Sequence, residues 1–269
     1  LQDGATVFSD GWTKTQVLNN CLSRNLSAFV DWTTGECSFD SEAFQQLLAF
    51  CNSFPDEVSS DDEVVSYAET TVDAAEWESD AARIASGKQL MAVTSIYDFS
   101  DYIYNTYSLN GKITFTGYPT EDGKSGNSFY INCPLAISST TKYPDAAWDF
   151  VKTMIQKTTE DSDNLYAFPI SQAKFDEKLT DAMTEEYQLD ENGEQVDWDG
   201  DGQPDLVSKG SYEVLGGSSD DYNWQPVYAL TQADVDQILG LIDATTGVYD
   251  YDTEILDIVS QEVSAYFAG

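Results

Sequence analysis

The sequence contains no histidine. That removes the imidazole general base, and with it Ser-His-Asp and Cys-His catalysis and His-ligated zinc. Positive charge is scarce. The 12 Lys and Arg residues stand against 48 Asp and Glu, a formal net charge of −36 over 269 residues. Nothing in such a chain would neutralise phosphates, which argues against nucleic acid as a partner. The same charge opposes docking on anionic lipid. No apolar run reaches the roughly 18 residues of a transmembrane helix. CxxC spacing is missing too. Cys21, Cys37, Cys51 and Cys133 do not form a metal or thioredoxin motif. They allow three disulfide connectivities, among which the sequence does not choose.

What is present is enough apolar material for a core. Apolar residues make up 41% and aromatics 13%, too much for a disordered acidic tail. A chain of this length should bury roughly 70% of its unfolded surface, in one or two domains. It opens at Leu1, without Met and without a basic-then-apolar leader. The expectation is a removed signal segment or a piece cut from a longer protein.

Periodicity predicts a helix over about 13–29, on Val17, Cys21, Leu22 and Leu26. Asp40 is placed to cap a second, on Phe44, Leu47, Leu48 and Cys51, which Pro55 stops. Cys51 then reads as a buried free thiol acting as a small hydrophobe. Residues 56–73 read as an acidic loop, and 74–86 as a helix ending at Gly87. Strands are expected over 89–96, 113–118 and 129–137, with a helix over 99–109 between the first two. That order fits a βαβ unit in a mostly parallel sheet, although three strands do not complete one for a chain of this size. Pro144 starts a helix with Ala147, Phe150, Val151 and Met154 on one face, and another follows Ser171. Residues 184–230 read as loops and hairpins. Thr231 and Asp234 box the start of a helix on Val235, Ile238, Leu239 and Ile242. A last helix spans about 252–267.

One loop has metal-ligand spacing. Asp197-Trp-Asp-Gly-Asp-Gly-Gln-Pro-Asp205 puts carboxylates at positions 1, 3, 5 and 9 and glycine at 6, as an EF-hand-type calcium loop requires. Asp197, Asp199, Asp201 and Asp205 are the side-chain ligands, with the Gln203 carbonyl at position 7. Position 12 is Ser208, where the full motif has a bidentate Glu. No helix pair flanks the loop, so Ca2+ would be structural, clamping an insertion. A solvated acidic turn is the alternative.

Several segments, taken in order, resemble the extracellular solute-binding proteins of sugar ABC transporters (family 1, the maltose-binding-protein-like group). They are Phe29-Val-Asp-Trp-Thr-Thr-Gly-Glu-Cys-Ser-Phe-Asp-Ser-Glu-Ala-Phe44, Ala85-Ser-Gly-Lys-Gln-Leu-Met91, Ile113-Thr-Phe-Thr-Gly-Tyr-Pro-Thr-Glu-Asp-Gly123, Leu135-Ala-Ile-Ser-Ser-Thr-Thr-Lys-Tyr-Pro-Asp-Ala-Ala-Trp-Asp-Phe150 and Ala265-Tyr-Phe-Ala-Gly269. The resemblance implies a helix-rich α/β chain with a periplasmic-binding-protein type II-like two-lobed fold, here a truncated C-terminal portion. It divides the chain into a second-lobe portion over 1–112, a crossover into the first lobe over 113–175, and a return over 176–269. It implies a non-enzymatic receptor that closes on a sugar and delivers it to an ABC transporter permease, outside the cell or in the periplasm. The membrane would be reached only through a lipid anchor outside this chain.

The site expected from the resemblance centres on Tyr97, an aromatic six residues after Met91, which would stack on the apolar face of a pyranose. A core aromatic is the alternative. Asp98 beside it would accept sugar hydroxyls or cap the following helix. Tyr222-Asn-Trp-Gln-Pro-Val-Tyr228 alternates aromatic and amide groups, which suits a polyhydroxylated ligand. Asn223, Trp224 and Tyr228 are its candidates, against a hairpin that merely packs on the next helix. Two other functions compete. A secreted glycan-cleaving enzyme needs only two carboxylates, and Glu76/Glu78 and Glu185/Glu186 are pairs, although solvated helix faces explain them equally well. A calcium-stabilised surface binding module is the other, which the helical periodicities disfavour.

Overall fold

The computed structural model describes residues 4–8, 12–56, 78–118, 126–131, 134–160, 167–214, 223–245, 247–249 and 251–269. Eight α-helices, a short 3-10 helix at Leu26–Ala28 and four short strands are formed among them. In order the α-helices and strands are α1 (Lys14–Asn25), α2 (Glu42–Cys51), α3 (Asp80–Ala85), α4 (Phe99–Tyr107), β1 (Ser128–Phe129), α5 (Pro144–Glu160), α6 (Gln172–Ala182), β2 (Gly210–Glu213), β3 (Trp224–Val227), α7 (Gln232–Asp243), β4 (Gly247–Val248) and α8 (Thr253–Ala268). The result is mixed α/β and rich in helix, with two two-stranded sheets: β1 parallel to β4, and β2 antiparallel to β3. The chain divides into two units, one of Leu1–Ala92, Thr114–Asn132 and Gly240–Gly269, the other of Val93–Ile113 and Cys133–Leu239.

The first unit is built on α1, α2 and α8. A reciprocal box starts α1: the Gln16 amide N–H donates to Thr13 Oγ1 at 3.4 Å, and Thr13 N–H donates to Gln16 Oε1 at 3.2 Å. Ser41 caps α2, one residue later than expected, and Asp252 caps α8. The apolar stripes of the three helices meet in one cluster: Val17, Leu18, Cys21 and Leu22 from α1, Phe44 and Cys51 from α2, Leu256, Val259 and Val263 from α8. Burial of such side chains contributes about 1.5–3 kcal/mol each before chain entropy is counted. Cys51 is fully buried, as its spacing predicts, and its thiol is free in the structure. Beside the cluster the Arg24 guanidinium lies over Tyr118 at 4.2 Å and over Tyr249 at 5.0 Å, two cation–π contacts at the end of α1.

In the second unit α4 buries Phe99, Tyr102, Ile103 and Thr106. The β2–β3 hairpin packs against α4. Gly210 permits the approach, since a Cβ there would stand 3.0 Å from Ile103 Cδ1 and 3.2 Å from Ser100 Cα. Phe99, Phe168 and Phe175 form an aromatic cluster with centroids 5.2–6.0 Å apart, Phe168 meeting both others edge-on.

The strands depart from expectation. Within 89–96 only Gln89 bridges, in parallel, to Thr6, and the Leu90 and Met91 amides donate to Thr6 and Val7 carbonyls; 92–97 pair with nothing regular. Of 113–118 only Gly117 and Tyr118 bridge, both to Gly126, and among the described residues of 129–137 only Phe129 lies in a strand. The βαβ unit is therefore not formed among the described residues. The cause is partnership: an apolar run states which side chains seek cover, but a ladder also needs a neighbouring backbone of matching length. Part of the expected 74–86 helix lies outside the described residues; Asp80–Ala85 is helical, capped by Ser79. The stripe expected to bury α5 is open as well, with Ala147 and Val151 half-buried while Phe150 and Met154 are exposed.

Candidate functional site

The aromatic candidates belong to the second unit. Tyr97 precedes α4, and its ring is 50% exposed rather than sealed in a core. Its backbone N–H donates to Asp101 Oδ2 at 2.8 Å, which fixes the entry to the helix. Asp98 is the N-cap. Its Oδ1 accepts from the Ser100 and Asp101 amides at 2.9 and 3.1 Å and from the Ser100 hydroxyl at 2.6 Å. The capping role proposed from sequence is thus filled by that oxygen.

Trp224 begins β3. Its indole stacks on Tyr104 of α4, with centroids 5.8 Å apart and planes at 25°, and stays 46% exposed. Asn223 is exposed beside it, its Oδ1 accepting from Gln225 Nε2 at 2.8 Å. The pair precedes and follows Trp224 in the chain and keeps further amide donors and acceptors in solvent. Tyr228 is half-buried, and Tyr222 lies outside the described residues. Tyr104 was not singled out from sequence. The available signal was its position: the buried face of α4 falls on 99, 102, 103 and 106, so Tyr104 and Tyr107 had to point elsewhere.

A buried carboxylate holds this region together. Asp234, in the first turn of α7, accepts from Tyr107 Oη at 2.8 Å, Tyr102 Oη at 3.2 Å, the Thr231 amide at 2.9 Å and the Thr231 hydroxyl at 2.6 Å. Its own N–H returns to Thr231 Oγ1 at 3.3 Å, the box that the sequence predicts. Burial pushes the Asp234 carboxyl upward, but the Thr231, Tyr107 and Tyr102 hydrogen bonds outweigh it and hold the group below the usual carboxylate range. Burial, then the Asp234 charge, pushes Tyr102 up to about 12.

The acidic loop stands on a small hairpin. At its base the Asp205 amide donates to the Val196 carbonyl, the Val196 amide to Gln188, and the Gln188 amide to Asp205, at 2.8–3.1 Å. Inside the loop, Asp197 accepts from the Gly200 and Gly202 amides at 2.7 and 2.9 Å, Asp199 from the Asp201 amide at 3.0 Å, and Asp201 from the Gln203 amide at 2.7 Å. Gly202 takes φ +92°, a conformation that a side chain there would strain. One oxygen each from Asp197, Asp199 and Asp201 lies within 4.8 Å of the others, and all three side chains are exposed. Asp205 is turned inward instead, its Oδ2 accepting from the Trp198 amide at 2.6 Å. Gln203 is exposed. An all-oxygen donor set of this kind suits a hard cation such as Ca2+ and not zinc.

A third feature was not singled out from sequence. An open concavity of about 530 Å³ lies along residues 27–38, lined by Phe29, Asp31, Trp32, Glu36 and Cys37 among others. Asp31 accepts from the Thr33 and Thr34 amides, which hold its carboxyl below the ordinary value.

Comparison with protein-family models, with curated proteins and with solved structures found no match for the chain. Among the described residues, no helix is long and apolar enough to cross a membrane.

Proposed function

We propose that the chain is a carbohydrate-binding receptor, part of an extracellular or periplasmic system that captures a sugar and passes it to an ABC transporter permease. The observation that carries the reading is the Trp224 plate: a half-open indole stacked on Tyr104, with the exposed amides Asn223 and Gln225 as its neighbours in the chain. A flat, pre-stacked ring removes the C–H face of a sugar from water with little loss of side-chain freedom. Tyr97, Asp98 and Tyr228 belong to the same proposal as further contacts, and so does a two-lobed, periplasmic-binding-protein type II-like architecture that closes on its ligand. No reacting group is needed for this, in keeping with a chain that has no histidine.

The test is a titration with a panel of neutral oligosaccharides, followed by tryptophan fluorescence and by product analysis. Saturable binding without cleavage, lost in Trp224→Ala, is expected. Conversion of a bound oligosaccharide into shorter fragments would instead identify the glycan-cleaving enzyme, and binding that ignores Trp224→Ala would remove this plate from the reading.

The loop of Asp197, Asp199 and Asp201, with Gln203 and Asp205 as further ligands, belongs to the proposal as a structural Ca2+ site, favoured by the gathering of three carboxylate oxygens in one place. Saturation at a hundredfold excess over Kd would add about 2.7 kcal/mol to stability. A melting temperature that rises with Ca2+, falls back with chelator and is flat in the Asp199→Asn/Asp201→Asn double variant is expected. Terbium luminescence sensitised through the exposed Trp198 should follow the same pattern. A wild-type melt indifferent to calcium would remove the ion from the account.

A further inference from the structure

Two of the thiols share one core. Cys21 stands on the face of α1 that carries Val17, Leu18 and Leu22, and Cys51 is the last residue of α2, on the face that carries Phe44. α1 and α2 pack on each other, and both sulfurs belong to a single buried cluster, where Cys21 is 5% exposed and Cys51 fully covered. A cysteine facing a neighbouring helix lets the backbones approach more closely than Leu or Phe would. Both are free thiols in the structure, and a bridge between the packed helices would require a Cα separation of about 4.4–6.8 Å. Their electrostatics agree with proximity. Burial pushes the Cys51 thiol up to about 12, and a charge on Cys21 pushes it further in the same direction. Cys37 differs from both, lying exposed on the loop that joins these helices.

We propose that Cys21 and Cys51 are partners that oxidise to a disulfide stapling α1 to α2. The bridge would close the chain segment holding the 27–38 concavity and Trp32 at its two ends. It would stabilise the first unit chiefly by restricting the unfolded chain. The oxidant is a small-molecule or protein disulfide, as found in secretory and extracellular compartments. The thiolate of one cysteine attacks the oxidant and releases one equivalent of the reduced thiol. The second cysteine then attacks the mixed disulfide and releases the other. Both protein thiols are oxidised, one oxidant disulfide is reduced to two thiols, and two protons pass to them. Burial keeps either group from ionising in the folded protein, so the reaction belongs to the folding chain, before the core closes. None of this depends on a sugar ligand.

The experiment takes the full chain, unfolds it under reducing conditions and refolds it in a buffer of oxidised and reduced glutathione. Intact mass and peptide mapping without reductant follow. Loss of two hydrogen masses, a cross-linked peptide joining Cys21 to Cys51, and a melting temperature that drops on reduction are expected. Cys21→Ala and Cys51→Ala, which keep a small apolar side chain, should each abolish the mass change and bring the melt of the oxidised protein down to that of the reduced one. A refolded protein with both thiols still free overturns the proposal, as does a bridge that uses Cys37 or Cys133 while either core thiol stays free. Sugar binding by a protein whose core thiols stay free would sink this inference alone.

Discussion

Replacing Asp234 by Ala removes the acceptor of four hydrogen bonds at once. The capping contribution to α7 is about 1 kcal/mol. The Tyr107 hydroxyl and the Thr231 amide then lose their charged acceptor in a site where Asp234 is only 9% exposed. Each orphaned donor costs about 1–3 kcal/mol, and the lower figure applies where water can enter. The sum is about 3 kcal/mol, a large fraction of the 5–15 kcal/mol that typically separates folded from unfolded domains. Tyr102 contributes less, because its single hydroxyl hydrogen is shared between Asp234 Oδ1 and Gln237 Oε1. Urea unfolding followed by far-UV circular dichroism, with amide exchange at the first turn of α7 as a local probe, measures the loss. Adding Tyr107→Phe to Asp234→Ala deletes one orphaned hydroxyl and should return about 1 kcal/mol. The pH dependence has a fixed sign. The folded carboxyl lies below its unfolded value, so its contribution is complete above the unfolded carboxylate range and disappears as pH falls through that range to the folded value. The gap between wild type and Asp234→Ala should therefore narrow in acid, and Asp234→Asn should lack this dependence. A loss under about 0.5 kcal/mol at neutral pH, or a gap that widens in acid, would refute the reasoning.

Arg24→Ala should destabilise the first unit by about 1 kcal/mol, from two cation–π contacts at a half-buried site, with Arg24→Lys recovering part of it; thermal melts in low and high salt check both. Gly126→Ala should cost about 1–3 kcal/mol, because a Cβ there would stand 1.9 Å from the Tyr118 carbonyl oxygen, and backbone cannot rotate away as a side chain can; chemical denaturation measures it.

What the sequence made legible was local. The starts of α1, α7 and α8 are set by side chains within three residues of the amides they bond, Thr13 with Gln16, Thr231 with Asp234, and Asp252 with Ile255. A reader of residues meets both partners in one glance. The Asp197–Gln203 turns are legible for the same reason, since each carboxylate bonds an amide two to five residues ahead. The Tyr104–Trp224 stack joins residues far apart in the chain, and no periodicity on either side announces the other. The strands failed on the same ground. Leu90, Met91, Leu135 and Ile137 are apolar as a strand requires, yet all four are exposed and none lies in a strand.

Helix α5 draws the same distinction within one element. The prediction of a helix that starts at Pro144 and includes Met154 holds, because Pro at the first turn and a 3.6-residue pattern act within the segment itself. The prediction of a buried stripe does not follow from those causes. Trp148 is 54% exposed, and Phe150 and Met154 also face solvent. Amphipathicity records that a segment has a face to cover; which surface covers it is decided by chain elsewhere. Helices in this protein were therefore readable one at a time, whereas sheets, stacked rings and covered faces each depend on a second segment that no local pattern names.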